Sequence, residues 1–188
     1  MNVYDFDNTI YDGESVFDFF IFCLKKKPRL SKYIPLMLHG LIRYKLCRIT
    51  AAELTEKAEG YMKIFFESFE DTDKLIKDFW DKNMHKIKSF YLENKRCDDI
   101  IISASWEDII SEICRRIGVK HYIASSIDKE NFKIKFLCYR ENKVKIFRDI
   151  YGNLDIENFY TDSKNDYPMI NAAKNSYIIK RGKIRKVK

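Results

Sequence analysis

At 188 residues the chain fits one domain, or one compact core with an insertion, and 46% hydrophobic and 15% aromatic content is ample for a packed interior, which excludes disorder. Five scattered cysteines (Cys23, Cys47, Cys97, Cys114, Cys138), odd in number and without a Cys-x-x-Cys pair, exclude a disulfide or zinc framework and point to reduced thiols in a cytoplasmic protein. A formal charge of +7 is met either by a lysine-rich solvated surface or by anionic partners; no common nucleic-acid motif is present, so nucleic acid is not expected as a partner.

In chain order, Val3, Tyr4 and Phe6 read as a buried strand, and Asp5 and Asp7 interrupt the N-terminus too early for a signal peptide. Four helices are then expected. Ser15 is a plausible N-cap for the first, over 16–24, which Pro28 closes. A second runs from about 31 to 46, with Ile34, Leu38, Leu41, Ile42 and Lys45 spaced at three and four. Thr50 with Glu53 forms a capping box for a third, and Asp71 or Thr72 opens a fourth with Leu75, Ile76, Phe79, Trp80, Met84 and Ile87 as its stripe. No apolar run reaches the roughly 20 residues of a membrane span.

The second half alternates. Strands are expected at 99–103, 122–125, 156–161 and 176–179, and helices at 107–117, 142–151 and 167–173. Alternation over 132–138 suggests a small hairpin, and the charged tail 180–188 a terminal strand or hairpin remnant. A βαβαβ succession implies a parallel sheet with right-handed crossovers, its strand ends converging on one edge. The fold class expected is therefore α/β: a Rossmann-like parallel sheet sandwiched by helices, with an inserted four-helix cap. The boundaries are 1–14 and 91–188 for the core and 15–90 for the cap.

Asp5-Phe6-Asp7-Asn8-Thr9 is the most informative stretch. Residues two apart on a strand point the same way, so both carboxylates leave one face at the strand's C-terminal end, where open α/β sheets place ligands. Adjacent anions repel unless a cation or proton lies between them, and carboxylate oxygens select a hard divalent ion such as Mg2+. An apolar run ending in Ser103, a lysine at 143 and Thr161-Asp162-Ser163-x-x-Asp166 follow in order.

Together these motifs resemble the haloacid dehalogenase superfamily, over 1–14 and about 97–175. The resemblance implies a phosphatase in which Asp5 is the nucleophile, forming an aspartyl-phosphate, and Asp7 is the general acid/base. It further implies that Ser103 donates to a phosphoryl oxygen, Lys143 balances the charge, and Thr9 supports the loop. Lys145 is the weaker alternative to Lys143. Mg2+ is expected on Asp5, Asp7, Asp162 and Asp166, with the Asp7 backbone carbonyl as the family's usual second ligand. The helical insertion resembles the cap of the phosphoserine-phosphatase-like subgroup; there Glu14 would touch substrate, although a helix-entry role fits as well. Ala104, Ser105 and Trp106 stand after Ser103 where that branch commonly has glycines, with Ala104 in the substrate-binding stretch.

A small phosphorylated metabolite, phosphoserine-like in one version, is the expected substrate. The segment 30–48, apolar and basic after Lys25-Lys26-Lys27, leaves a second reading open: peripheral contact with an anionic membrane by a phosphatidylglycerophosphatase-like lipid-phosphate phosphatase. A non-catalytic binding protein on the same fold is the alternative from another class. His39, His85 and His121 do not cluster with other ligands.

Overall fold

A computed structural model describes residues 1–46, 48, 51–180 and 182–188. Thr50, half of the expected capping box, and Cys47 lie outside them. The elements are β1 (Asn2–Tyr4), α1 (Ser15–Lys26), α2 (Ile34–Lys45), α3 (Ala51–Glu67), α4 (Thr72–Asn83), α5 (Ser89–Asn94), β2 (Ile100–Trp106), α6 (Glu107–Ile117), β3 (His121–Asp128), β4 (Lys133–Phe136), α7 (Glu141–Tyr151), β5 (Asn158–Thr161), α8 (Tyr167–Ala172), β6 (Asn175–Lys180) and β7 (Lys183–Lys186).

They build one seven-stranded sheet of order β4-β3-β2-β1-β5-β6-β7. The five inner strands are parallel, and the hairpin partners β4 and β7 are antiparallel edges. The charged tail thus continues the sheet, as Ile178↔Arg185 and Ile179↔Ile184 pairing shows. Strand alternation separates two interiors: Tyr4 and Ile101 face one way, Val3, Ile100, Ile102 and Phe159 the other. The chain leaves β1 for β2 on one side and later returns to β5 on the other, so β1 sits at the topological switch point.

Helix ends follow local chemistry. Asp71 caps α4 by accepting from the Lys74 N–H at 2.8 Å, as its sequence predicts. In α6, Glu107 and Asp108 in the first turn and Arg115 and Arg116 in the last oppose the helix dipole, and Gly118 at φ 73° ends it. Ser15 departs from expectation: Glu14 is the N-cap residue, its side chain making no capping bond to the helix, and Ser15 is the buried first residue of α1. Met84 and Ile87 also fall outside α4, since a 3-10 turn at Met84–Lys86 ends it and Ile87 bridges to Tyr11.

Packing crosses the expected boundaries at 15 and 90. Phe19, Phe22 and Cys23 of α1 and Leu75, Ile76, Phe79 and Trp80 of α4 share one interior with Phe6, Tyr11, Ile109, Ile110 and Ile113. The Trp80 indole donates to the Ile109 carbonyl of α6 at 2.9 Å, and its ring meets Phe6 and Tyr11 edge-on. α1 and α4 therefore lie against the sheet, while α2 packs on α3 and on the 3-10 turn over 28–33. On α2 the spacing of Leu38 and Ile42 is helical, yet both side chains face solvent. No helix among the described residues is long and apolar enough to cross a membrane.

Candidate active site

β1 is only three residues long, and its continuation carries the site. The Asp5 N–H donates to the Tyr160 carbonyl of β5 at 2.8 Å, which fixes the backbone of the first carboxylate. The chain then turns sharply: the N–H groups of Thr9, Ile10 and Tyr11 all point to the Phe6 carbonyl. Asn8 holds φ 56°, a conformation asparagine tolerates better than most residues. Gly13, at φ 139°, closes the loop, and a Cβ there would stand 2.8 Å from an Asp18 oxygen.

Lys143 reaches across the sheet from α7. Its ammonium lies 2.8 Å from Asp5 Oδ1 and 2.9 and 3.0 Å from the two Asp166 oxygens, with the lysine only 2% exposed. Burial opposes its charge, but Asp5 and Asp166 outweigh burial and hold the ammonium well above the ordinary lysine range. Burial raises the Asp5 carboxyl to about 7, with Lys143 pulling it back toward ionisation. Asp166 also accepts from the Thr161 hydroxyl at 2.8 Å, and the Thr9 hydroxyl stands 3.4 Å from Asp5 Oδ2. Lys145 is exposed on the other side of α7 and is not part of this group.

Asp7 has separate partners. Its Oδ1 accepts from the Ser15 N–H at 2.6 Å, and its Oδ2 from the Ser105 hydroxyl. The Ser15 hydroxyl donates to Ser105 Oγ at 2.9 Å. A first-turn N–H of α1 is thereby satisfied by a carboxylate from another loop, at the positive end of the helix. Burial raises the Asp7 carboxyl above the usual range, against the pull of Ser105 and Ser15.

β2 runs past the expected end at Ser103 as far as Trp106, with an irregularity in its pairing to β3 after Ile102. Ser103 is fully buried and its hydroxyl accepts from the Ser105 N–H at 3.0 Å, which leaves its own hydrogen free to be donated elsewhere. Ala104 is exposed. Trp106 packs on Phe66 and Phe19, so it braces the base of α3 against the strand end. Glu14 accepts from the Asn8 amide at 2.6 Å; desolvation first, then the charges of Asp7 and Asp162, raise its carboxyl. Asp162 is raised by burial first and Asp166 second.

The expected four-carboxylate metal shell is not assembled from side chains. Among the described residues no group of three His, Cys, Asp or Glu side chains stands close enough to hold an ion. The reason is local: the Asp7 carboxylate is taken by two serines, and that of Asp166 by Lys143 and Thr161. Asp5 and Asp162 remain as hard carboxylate donors, in surroundings with more acids than cations. Sequence reading also passed over three residues. Ser105 and Ser15 hold Asp7, and Thr161 holds Asp166. A hydroxyl's partner depends on a fold contact, and the Ser15–Ser105 contact spans 90 positions.

The sequence profile of the haloacid dehalogenase-like hydrolases matches residues 3–171. The chain belongs to that family. A probable phosphatase of Mycobacterium tuberculosis is 30% identical over 90 residues, 44% of this chain and 31% of the relative, so the match spans under a third of that protein's length. Among solved structures, a Bordetella pertussis Tohama I protein of unknown function superposes with TM-score 0.72 at 17% identity, over 94% of this chain and 87% of that one. A phosphoserine phosphohydrolase-like protein of Francisella tularensis gives 0.56 at 19% identity, over 94% and 86%. These two likenesses concern the fold, which this haloacid dehalogenase-like hydrolase shares with each over 94% of its length.

Proposed function

We propose that this chain is a Mg2+-dependent phosphomonoester hydrolase acting through an aspartyl-phosphate on a small phosphorylated metabolite. The observation that carries the reading is the buried Lys143 ammonium between Asp5 and Asp166, beside an acid, Asp7, held apart by Ser15 and Ser105. Two carboxylates in different surroundings can divide two roles.

In the first step an Asp5 oxygen attacks phosphorus, the bond from phosphorus to the ester oxygen breaks, and Asp7 protonates the leaving oxygen. In the second, Asp7 takes a proton from water, the water oxygen bonds to phosphorus, and the acyl-phosphate bond breaks, releasing phosphate and restoring Asp5. Lys143 would offset the charge of Asp5 and of the incoming phosphoryl group, and Ser103 would donate its hydroxyl hydrogen to a phosphoryl oxygen. Mg2+ would be held by the carboxylates of Asp5 and Asp162 with the Asp7 main-chain carbonyl, and would neutralise phosphoryl oxygens. Asp166 then acts by orienting Lys143. Glu14, exposed and bonded to the Asn8 amide of the same loop, would meet a cationic group of the substrate, such as an amine. In this reading 15–90 is the selectivity region, with α1 and α4 as its root and α2 and α3 as the cover.

Phosphate release from a panel of phosphomonoesters, with Mg2+ and with chelator, tests the assignment. Asp5→Asn should abolish release and keep the folded far-UV spectrum; turnover retained by this variant would mean another group is the nucleophile.

A further inference from the structure

The chain's positive charge is concentrated. Residues 19–52 hold 8 of the 35 Lys and Arg and none of the 28 Asp and Glu, which leaves 27 against 28 for the rest of the chain. The same segment carries an uncovered apolar stripe. Leu38, Ile42 and Leu46, four residues apart and hence on one side of a helix, are 53%, 55% and 57% exposed. Gly40, two residues from Leu38 and from Ile42 and so on the opposite side, is buried. Lys25, Arg29, Lys32 and Arg48, which flank α2 in sequence, are exposed.

Charge and shape together choose the occupant. A second copy of this chain would bring the same acid-free, basic segment to the contact and be repelled. Nucleic acid would match the charge, but an aliphatic stripe offers no plane on which a base can stack. An anionic bilayer satisfies both halves, with acyl chains for the leucines and lipid phosphates for the lysines and arginines. α2, at 12 residues, is about 18 Å long and cannot cross a hydrocarbon core of about 30 Å, so it would lie in the surface plane.

We propose that the face formed by α2 and its basic flanks docks on an anionic membrane surface, inserting Leu38, Ile42 and Leu46. This docking does not depend on the catalytic reading. Its test is sedimentation of the full chain with phosphatidylcholine vesicles, either pure or containing about a third phosphatidylglycerol. Binding is expected to the anionic vesicles alone, and to fall at least tenfold in about 0.5 M salt, where charge attraction is screened within a few ångströms. The triple variant L38S/I42S/L46S should also bind at least tenfold more weakly, as should the double variant R29E/K32E, both with unchanged melting curves. No binding to anionic vesicles, equal binding to neutral ones, or unaltered binding by both variants would overturn the proposal. Self-association in the absence of vesicles that the triple variant abolishes would assign the face to a second copy instead.

Discussion

Lys143 and Asp5, 138 positions apart in sequence, stand 2.8 Å from each other in an interior where the lysine is almost fully enclosed. Removing one partner of such a pair leaves the other charge uncompensated, which costs about 3–5 kcal/mol when both are buried. Lys143→Met should therefore lower kcat/KM by about 10²–10³, the size of a lost charge-stabilising donor, and also lower stability. Lys145→Met should do neither. Steady-state kinetics with thermal melts on both variants decides between the two lysines; equal losses would reject the assignment.

The Ser105 hydroxyl bonds to the Asp7 carboxylate and accepts from the Ser15 hydroxyl. A hydrogen bond to a charged group contributes about 1.5–3 kcal/mol, so Ser105→Ala should reduce kcat at least tenfold with KM little changed. Ser105→Thr keeps the hydroxyl and should recover much of the rate. If the alanine variant turned over normally, Asp7 would not need this support.

Trp80→Ala distinguishes a helix in the core from one in a detached bundle. Emptying this fully buried site should cost about 3–5 kcal/mol and lower the melting temperature of the whole chain by about 10 °C, in a single transition. Leu38→Ser, on the exposed side of α2, should shift stability by no more than about 0.5 kcal/mol. Differential scanning calorimetry reads both, and a separate early transition in the tryptophan variant would detach α4 from the core.

Glu112 supplies a pH test away from the site. The hydrogen bonds from Arg115, and after them Arg116, bring its carboxyl down from 4.5 to about 2, against the effect of burial. A carboxyl depressed in the folded state stabilises it fully above the unfolded value near 4.5, and that contribution fades as pH falls toward 2. Glu112 is well covered but Arg115 is exposed, so screening reduces the effect to about 1–2 kcal/mol. Urea midpoints of Glu112→Gln and parent should differ at pH 7 and converge as pH drops below 4; a gap independent of pH would contradict the ion-pair origin.

Much of this site could be read in the sequence because its groups stand where strands end, and strand ends are written locally. Asp5 follows an apolar run, Asp162 and Asp166 follow Phe159 and Tyr160, and Lys143 opens a helix after a break. Period and punctuation also placed the parallel sheet, and the Asp71 cap needed only three neighbouring residues. What chain-local rules could not supply is the choice among partners for a group able to bond with several. Ser15 has the chemistry of an N-cap, yet its N–H turns to Asp7; Asp7 and Asp166 have the chemistry of metal ligands, yet the Ser105 hydroxyl and the Lys143 ammonium, from distant segments, hold their carboxylates. The same limit applies to the helices. Trp80 and Leu38 both lie on stripes of helical period, but whether a stripe meets the sheet or the solvent depends on how the connecting turns aim each helix, and only the assembled tertiary structure decides that.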